Sequence, residues 1–143
     1  MESLHYLLMK AHTMLNRQII TRAQEIGLSP GQPKVLEYLL LHGENNQKAI
    51  ADFCEIEPAT VGNILLRMEQ AGLITRSNRE GNRRSLYVTL TPLGWEAALG
   101  IERIFQAQEQ LASADMTGEE VEQLRVLLDK FCRSALREAG DQV

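Results

Sequence analysis

Apolar residues recur at steps of three and four from the start of the chain: Leu4, Leu8, Ala11, Leu15, Ile19, Ala23, Ile26. That spacing marks one face of a long helix. Gly27 predicts its end, because a helix closes most easily on a residue that adopts the left-handed conformation. In "LSPGQPKVLEYLLLHG" a second helix is expected, with Ser29 as N-cap, Pro30 at the first helical position and Gln32 as the capping-box partner. Pro33 fits less well there, since its missing N–H falls about where intrahelical bonding begins. Val35, Leu36, Leu39 and Leu40 form the buried stripe, and Gly43 stops it.

Two short helices follow. "NNQKAIADFC" starts on an Asn cap and is expected to bury Ile50, Ala51 and Phe53. "EIE" is a turn, and Pro58 opens "PATVGNILLRMEQAG", with Val61, Ile64, Leu65 and Met68 facing inward and Gly72 as the stop. Next comes an alternating hairpin with Leu86, Val88 and Leu90 on one face. Helix, tight turn, helix and hairpin spell a winged helix-turn-helix, with Ala51 small where the two helices cross.

Two long helices complete the pattern. Thr91-Pro92 caps a stripe of Leu93, Ala97, Ile101, Ile104, Gln108 and Leu111. The capping box Thr117-Gly118-Glu119-Glu120 opens Val121, Leu124, Leu128, Phe131 and Ala135, and "EAGDQV" reads as a loose tail. The expected fold is mainly α with a small β-hairpin wing. Residues 29–92 form a winged helix-turn-helix DNA-binding lobe, residues 93–111 a linking helix, and residues 1–28 and 112–143 dimerisation helices. One winged helix cannot bury three long apolar stripes, so a homodimer is expected.

Composition narrows the class. At 143 residues the chain is domain-sized, with 44% hydrophobic and 24% charged residues. No apolar run approaches the ~18 residues of a membrane span, and "MESLHYLLMK" has neither the basic start nor the cleavage site of a signal peptide. Cys54 and Cys132 stand far apart with no CxxC spacing, which fits a cytoplasmic protein with free thiols. The chain is acidic, with 15 Lys+Arg against 19 Asp+Glu and a net charge of -4. Yet four arginines (Arg76, Arg79, Arg83, Arg84) stand against one acid, Glu80, in a single Gly-containing loop.

The stretch "LITRSNREGNRRSLYVTLTPLG" resembles the wing of the MarR family of bacterial transcription regulators, commonly an Asp-Arg-Arg followed by a strand and Leu-Thr-x-x-Gly. "LLRMEQAGLITR" is similar to the end of that family's recognition helix, and helix order matches from about Leu4 to Arg137. The resemblance implies a homodimeric regulator, expected to be a repressor, on a pseudo-palindromic operator, controlled by a small effector. Two departures stand out. Asn82 replaces the acid that usually pairs with the arginine corresponding to Arg76, removing that charged pairing. Gly62 and Asn63 fall where many members carry Thr or Ser followed by Arg.

The arginine loop has a physical reading alongside. Duplex DNA carries one negative charge per ~1.7 Å of axis, so affinity needs local cations and not a basic total. A narrow minor groove attracts inserted guanidinium groups, and Gly81 lets the backbone turn there. Arg83 and Arg84 are the expected insertion and phosphate contacts, with Arg76 and Arg79 beside them; the bland alternative is a solvated hairpin whose charges block edge aggregation. On the recognition helix, Ala59, Thr60, Asn63 and Arg67 lie opposite the apolar stripe. Asn63 suits an adenine edge, Thr60 a thymine methyl or phosphate, and Arg67 a phosphate. Thr60 has capping, and Arg67 an ion pair with a nearby acid, as the alternative role. Lys34 and Gln47 are weaker phosphate candidates.

Other residues admit two readings. Tyr6, Met9, His12 and Asn16 on the first helix, with Trp95 as an opposite wall, have the mixed make-up of a pocket for an aromatic or phenolic effector. His5 and His12 share a face, but no spacing supplies further metal ligands, so no metal or other cofactor is expected and a dimer-surface role is preferred. Cys54 is read as a small buried hydrophobe in preference to a redox centre, Cys132 as dimer core, and Trp95 as pocket wall or packing. No Gly-rich phosphate loop or nucleophile elbow supports an enzyme. The rival to a DNA reader is a winged-helix protein–protein interaction module whose wing binds an acidic partner.

Overall fold

The chain, seen in a computed structural model, is described over residues 1–79 and 82–141, without the side chains at 79, 82–85 and 141. The Glu80-Gly81 turn and the side chains of Arg79, Arg83 and Arg84 therefore lie outside the described residues. Two compact units divide the chain, Met1–Gln108 and Glu109–Val143.

The first unit opens with α1 (Leu4–Glu25), capped by the Ser3 hydroxyl, which accepts from the Tyr6 N–H at 3.1 Å. Gly27, at φ +83°, closes it: Leu28 N donates to the Ala23 carbonyl and Gly27 N to that of Gln24. This crossed pair of bonds satisfies the last carbonyls of the helix. Helix α2 (Gln32–His42) starts later than the Ser29 cap predicts. The Gln32 side chain does reach back to the Ser29 N–H, at 3.1 Å, but this closes a preliminary turn, and Gly31 at φ +91° is the true cap. Pro33 then occupies the first turn, where an N–H has no intrahelical partner to lose. The later start resolves its misfit.

Helix α3 (Gln47–Cys54) is capped by Asn46, whose side chain accepts from Ala49 N at 2.8 Å. It buries Ile50, Ala51 and Cys54, while Phe53 is exposed, contrary to expectation. Phe53 instead lies against the rings of Tyr38 and His42, with centroids 4.9 and 5.5 Å away. Helix α4 (Pro58–Gln70) follows a turn in which Glu55 takes the left-handed conformation at φ +54°. The strands β1 (Asn45–Asn46), β2 (Ile74–Arg79) and β3 (Asn82–Leu90) form an antiparallel sheet in the order β1-β3-β2. Strand β1 has no sequence signal, since Asn favours turns; two residues suffice to pair Asn45 with Val88 and Asn46 with Tyr87.

Helix α5 (Pro92–Ala112) spans the division between the units. Its buried positions are Gly94, Ala98, Ile101 and Gln108. Ile101 and Gln108 lie on the predicted stripe and Ala97 and Ile104 pack beside it, while the first turns bury Gly94 and Ala98 and leave Leu93 exposed, as Leu111 is at the far end. The core of the first unit runs from Ala23 and Leu28 through Val35, Leu36 and Leu39, Ile50, Val61, Leu65 and Met68 to Val88 and Ile101. In the second unit, α6 (Gly118–Asp141) begins with the expected capping box: Thr117 N donates to Glu120 Oε1 at 2.9 Å, and Glu120 N to Thr117 Oγ1 at 3.1 Å. The helix continues through Glu138 to Asp141, where a loose tail was expected, because nothing there but Gly140 opposes helix propagation. Among the described residues no helix is long and apolar enough to cross a membrane.

Candidate nucleic-acid interface

Helix α4 divides sharply by exposure. Val61, Leu65 and Met68 are fully buried, whereas Ala59, Thr60, Asn63 and Arg67 are all exposed. Pro58 sits at its start and the first helical bond runs from Val61 N to the Glu57 carbonyl. Among the described residues Thr60 makes no side-chain hydrogen bond and Arg67 no ion pair. Ala51 is buried where α3 faces α4, as the close crossing requires. The result is a helix held rigidly by one face that offers a hydroxyl, an amide and a guanidinium on the other.

Arg76 behaves differently from this set. Strand side chains alternate between faces, and Ile74 and Val88 are buried on the inner one. Arg76 is two residues from Ile74 and directly opposite Val88, so it points inward as well. Its side chain is 15% exposed; Nη2 lies 3.3 Å from Glu69 Oε1 of α4, and Nη1 donates to Gln47 Oε1 of α3 at 3.0 Å. The charged partner expected to be missing with Asn82 is therefore supplied by Glu69. Gln47, read as a phosphate candidate, is occupied by Arg76, while Lys34 is exposed. The alternation of β2 carried a signal for this inward turn, but nothing in the helical pattern singled out Glu69.

The base of the wing is tied to α5 by backbone contacts. Thr91 N donates to the Leu73 carbonyl at 3.0 Å, and Thr91 Oγ1 donates to the Gly72 carbonyl at 2.6 Å while accepting from Gly94 N at 3.0 Å. Gly94 must be glycine: a Cβ there would stand 1.9 Å from the Leu73 carbonyl oxygen. The Leu-Thr-x-x-Gly run thus joins the exit of α4 to the entry of α5.

The sequence profile of the MarR family matches residues 28–86, from just after α1 into β3. The uncharacterized HTH-type transcriptional regulator YdcH of Bacillus subtilis is 32% identical over 110 residues, 71% of this chain and 75% of that protein. This chain belongs to the MarR family. It is a transcriptional regulator with the family's winged-helix DNA-binding fold. A putative transcriptional regulatory protein for the hcr operon of Thauera aromatica is 27% identical over 107 residues, 75% of this chain but 64% of that protein's length. Among solved structures, the Staphylococcus aureus MepR–DNA complex shares the fold with a TM-score of 0.82 at 24% identity, over 94% of this chain and 99% of that one.

In this MarR-family chain the residues read as effector-binding lie on two helices. Tyr6, Met9 and His12 are exposed and Asn16 half-buried on α1, and Trp95 is exposed in the first turn of α5. The Tyr6 ring lies 5.8 Å from Lys10 Nζ. Among the described residues no group of three or more His, Cys, Asp or Glu could hold a metal ion. Cys54 is buried, and burial pushes its thiol up from 9.0 to about 11, with the Lys34 charge opposing the rise and Glu37 adding to it. At neutral pH it is a protonated thiol, which is a poor nucleophile. Cys132 is exposed on α6.

Proposed function

We propose that this regulator is a homodimeric repressor that reads a pseudo-palindromic operator, with α4 in the major groove and the arginine-bearing wing along the minor groove. The observation that carries the reading is α4 itself, whose inner stripe is fully buried while Ala59, Thr60, Asn63 and Arg67 stand exposed. Asn63 offers the bidentate donor–acceptor pair that matches an adenine edge, and Arg67 a phosphate contact. Arg79, Arg83 and Arg84 are assigned to the minor groove and its phosphates. Two recognition helices meet successive major grooves when they sit about 34 Å apart, which the dimer sets. Repression follows by occlusion wherever the operator overlaps a promoter.

The dimer is assigned to α1 and α6. Helix α1 buries only Ala23 fully, and α6 leaves Leu124, Leu127, Leu128 and Phe131 exposed. An aromatic or phenolic effector bound by Tyr6, Met9, His12, Asn16 and Trp95 would alter the spacing of the two lobes. Such a ligand must bind the operator complex more weakly than the free protein by the same factor by which it weakens DNA binding. A panel of aromatic acids and phenols titrated against both forms tests this, and equal affinity for both disqualifies a compound as the switch. Selection from a random duplex pool tests DNA reading itself. An enriched palindrome with steep salt dependence is expected, whereas salt-dependent binding without sequence preference would favour a protein-interaction module.

A further inference from the structure

Glu69 is an acid on a helix assigned to a polyanion, and it is not turned out to solvent as a mere surface charge. It lies in the last turn of α4, 38% exposed, with Oε1 3.3 Å from Arg76 Nη2. The same guanidinium donates to Gln47 at the first position of α3. One planar fork thus joins the exit of the recognition helix, the start of α3 and the first wing strand. We propose that Glu69 is a wing-positioning residue, which acts through Arg76 to set the direction in which β2 and β3 leave α4. The proposal rests on the reading of α4 and the wing as the two DNA-binding surfaces.

Four arguments support it. Strand β2 follows α4 after a short link containing Gly72 at φ +77°, and the paired Ile74 and Leu90 anchor the base of the sheet, one step before Arg76 and Val88. Arg76 is the next inward-facing residue along β2, so its tie is the outermost one on that face before the irregularity at Asn78 and Arg79. A guanidinium held by acceptors on two different helices resists rotation as well as translation, because its donors are coplanar and fixed in angle. Finally, the Arg76 side chain is 15% exposed and its buried Nε makes no hydrogen bond among the described residues, so Glu69 and Gln47 are the acceptors that hold the guanidinium in place.

Glu69→Gln is the deciding variant, because it removes an acid close to a polyanion. Charge alone predicts tighter binding; positioning predicts weaker binding, by about tenfold, on a duplex selected with the parent chain. Hydroxyl-radical protection of the minor groove beneath the wing is expected to blur while that beneath α4 stays. Arg76→Gln is expected to weaken binding with an unchanged log–log salt slope, and to add little in the Glu69→Gln background. Equal or tighter binding by Glu69→Gln with sharp minor-groove protection overturns the proposal. So does a slope reduced by about one in Arg76→Gln, the mark of a direct phosphate contact. If Glu69→Gln lowers Tm by leaving the Arg76 charge uncompensated, Glu69→Gln with Arg76→Met removes both charges. That folded double variant must still blur the minor-groove protection, and sharp protection in it refutes positioning. A parent chain that protects no selected duplex removes the DNA reading and the proposal with it, whereas a sharp parent footprint unchanged in the variants removes the proposal alone.

Discussion

Replacing Arg83 or Arg84 by Ala is expected to weaken operator binding by ~1–3 kcal/mol, with the circular dichroism of the parent retained. Each lost phosphate contact should also lower the salt slope by about one. Unchanged affinity in both variants would place the wing off the DNA. The two cysteines make a second residue-scale prediction. Cys132 is exposed on the single chain and is read as dimer core, so its reaction with a thiol reagent at pH 8 should slow as protein concentration rises, while buried Cys54 should react only as the protein opens. Because the Cys54 thiol is raised in the folded state, its contribution to stability is complete below its unfolded value of 9.0 and declines as pH climbs toward about 11. Urea midpoints across that interval, compared with Cys54→Ala, measure it; an identical pH dependence in the two proteins contradicts it. At this scale the sequence was legible where a side chain's role follows from period: Ala59, Thr60, Asn63 and Arg67 share the exposed face that the helical repeat implies. Arg76 differs from the loop arginines in facing inward, a property that strand alternation records and local charge does not. Its partners Glu69 and Gln47 are 7 and 29 residues away, and such pairings are set by packing that no local pattern records.

Among the elements, caps with a side-chain mechanism were readable: Asn46, Thr91 and the Thr117–Glu120 box all form the bonds their residue types predict. The start of α2 was harder, since Ser29 and Gln32 do pair, yet the helix begins only after Gly31. Strand β1 was invisible because it exists by pairing with β3, not by its own propensity. Two glycines in α5 give a matched prediction. Gly94→Ala would drive a methyl into the Leu73 carbonyl oxygen, backbone that cannot step aside, and is expected to cost about 3 kcal/mol. Gly100→Ala meets nothing closer than Ile26 Cδ1 at 3.5 Å and should gain ~0.5–1 kcal/mol from helix propensity. Thermal melts of both variants decide the matter, and a Gly94→Ala protein as stable as Gly100→Ala would contradict the close approach.

For the molecule as a whole, the apolar residues left exposed on α1 and α6, among them Leu4, Leu7, Leu127 and Phe131, make a monomer a poor end state. Sedimentation equilibrium at micromolar concentration is expected to give twice the 16.1 kDa chain mass, and a well-folded single-chain species would count against the dimer. Fold class was legible from sequence because each helix carries its own periodicity; the contacts of the proposed dimer are not, since nothing in one chain numbers the contacts it makes with another. The joint at Gly94 bears on how such an assembly can be controlled. With Thr91 bonded to both Gly72 and Leu73, and no space for even a methyl between α5 and that backbone, the recognition helix is geared to α5 without slack. On the proposed placement of α4 in the major groove, a torque applied to α5 would reach the DNA as a swing of a lever. Helix α4, with 13 residues, is ~20 Å long, so a turn of about 10° carries its far end ~3 Å, as much as the length of a hydrogen bond. If an effector of the proposed kind acts on α5, it need not melt or unfold anything to weaken operator binding; a small change of pitch is enough.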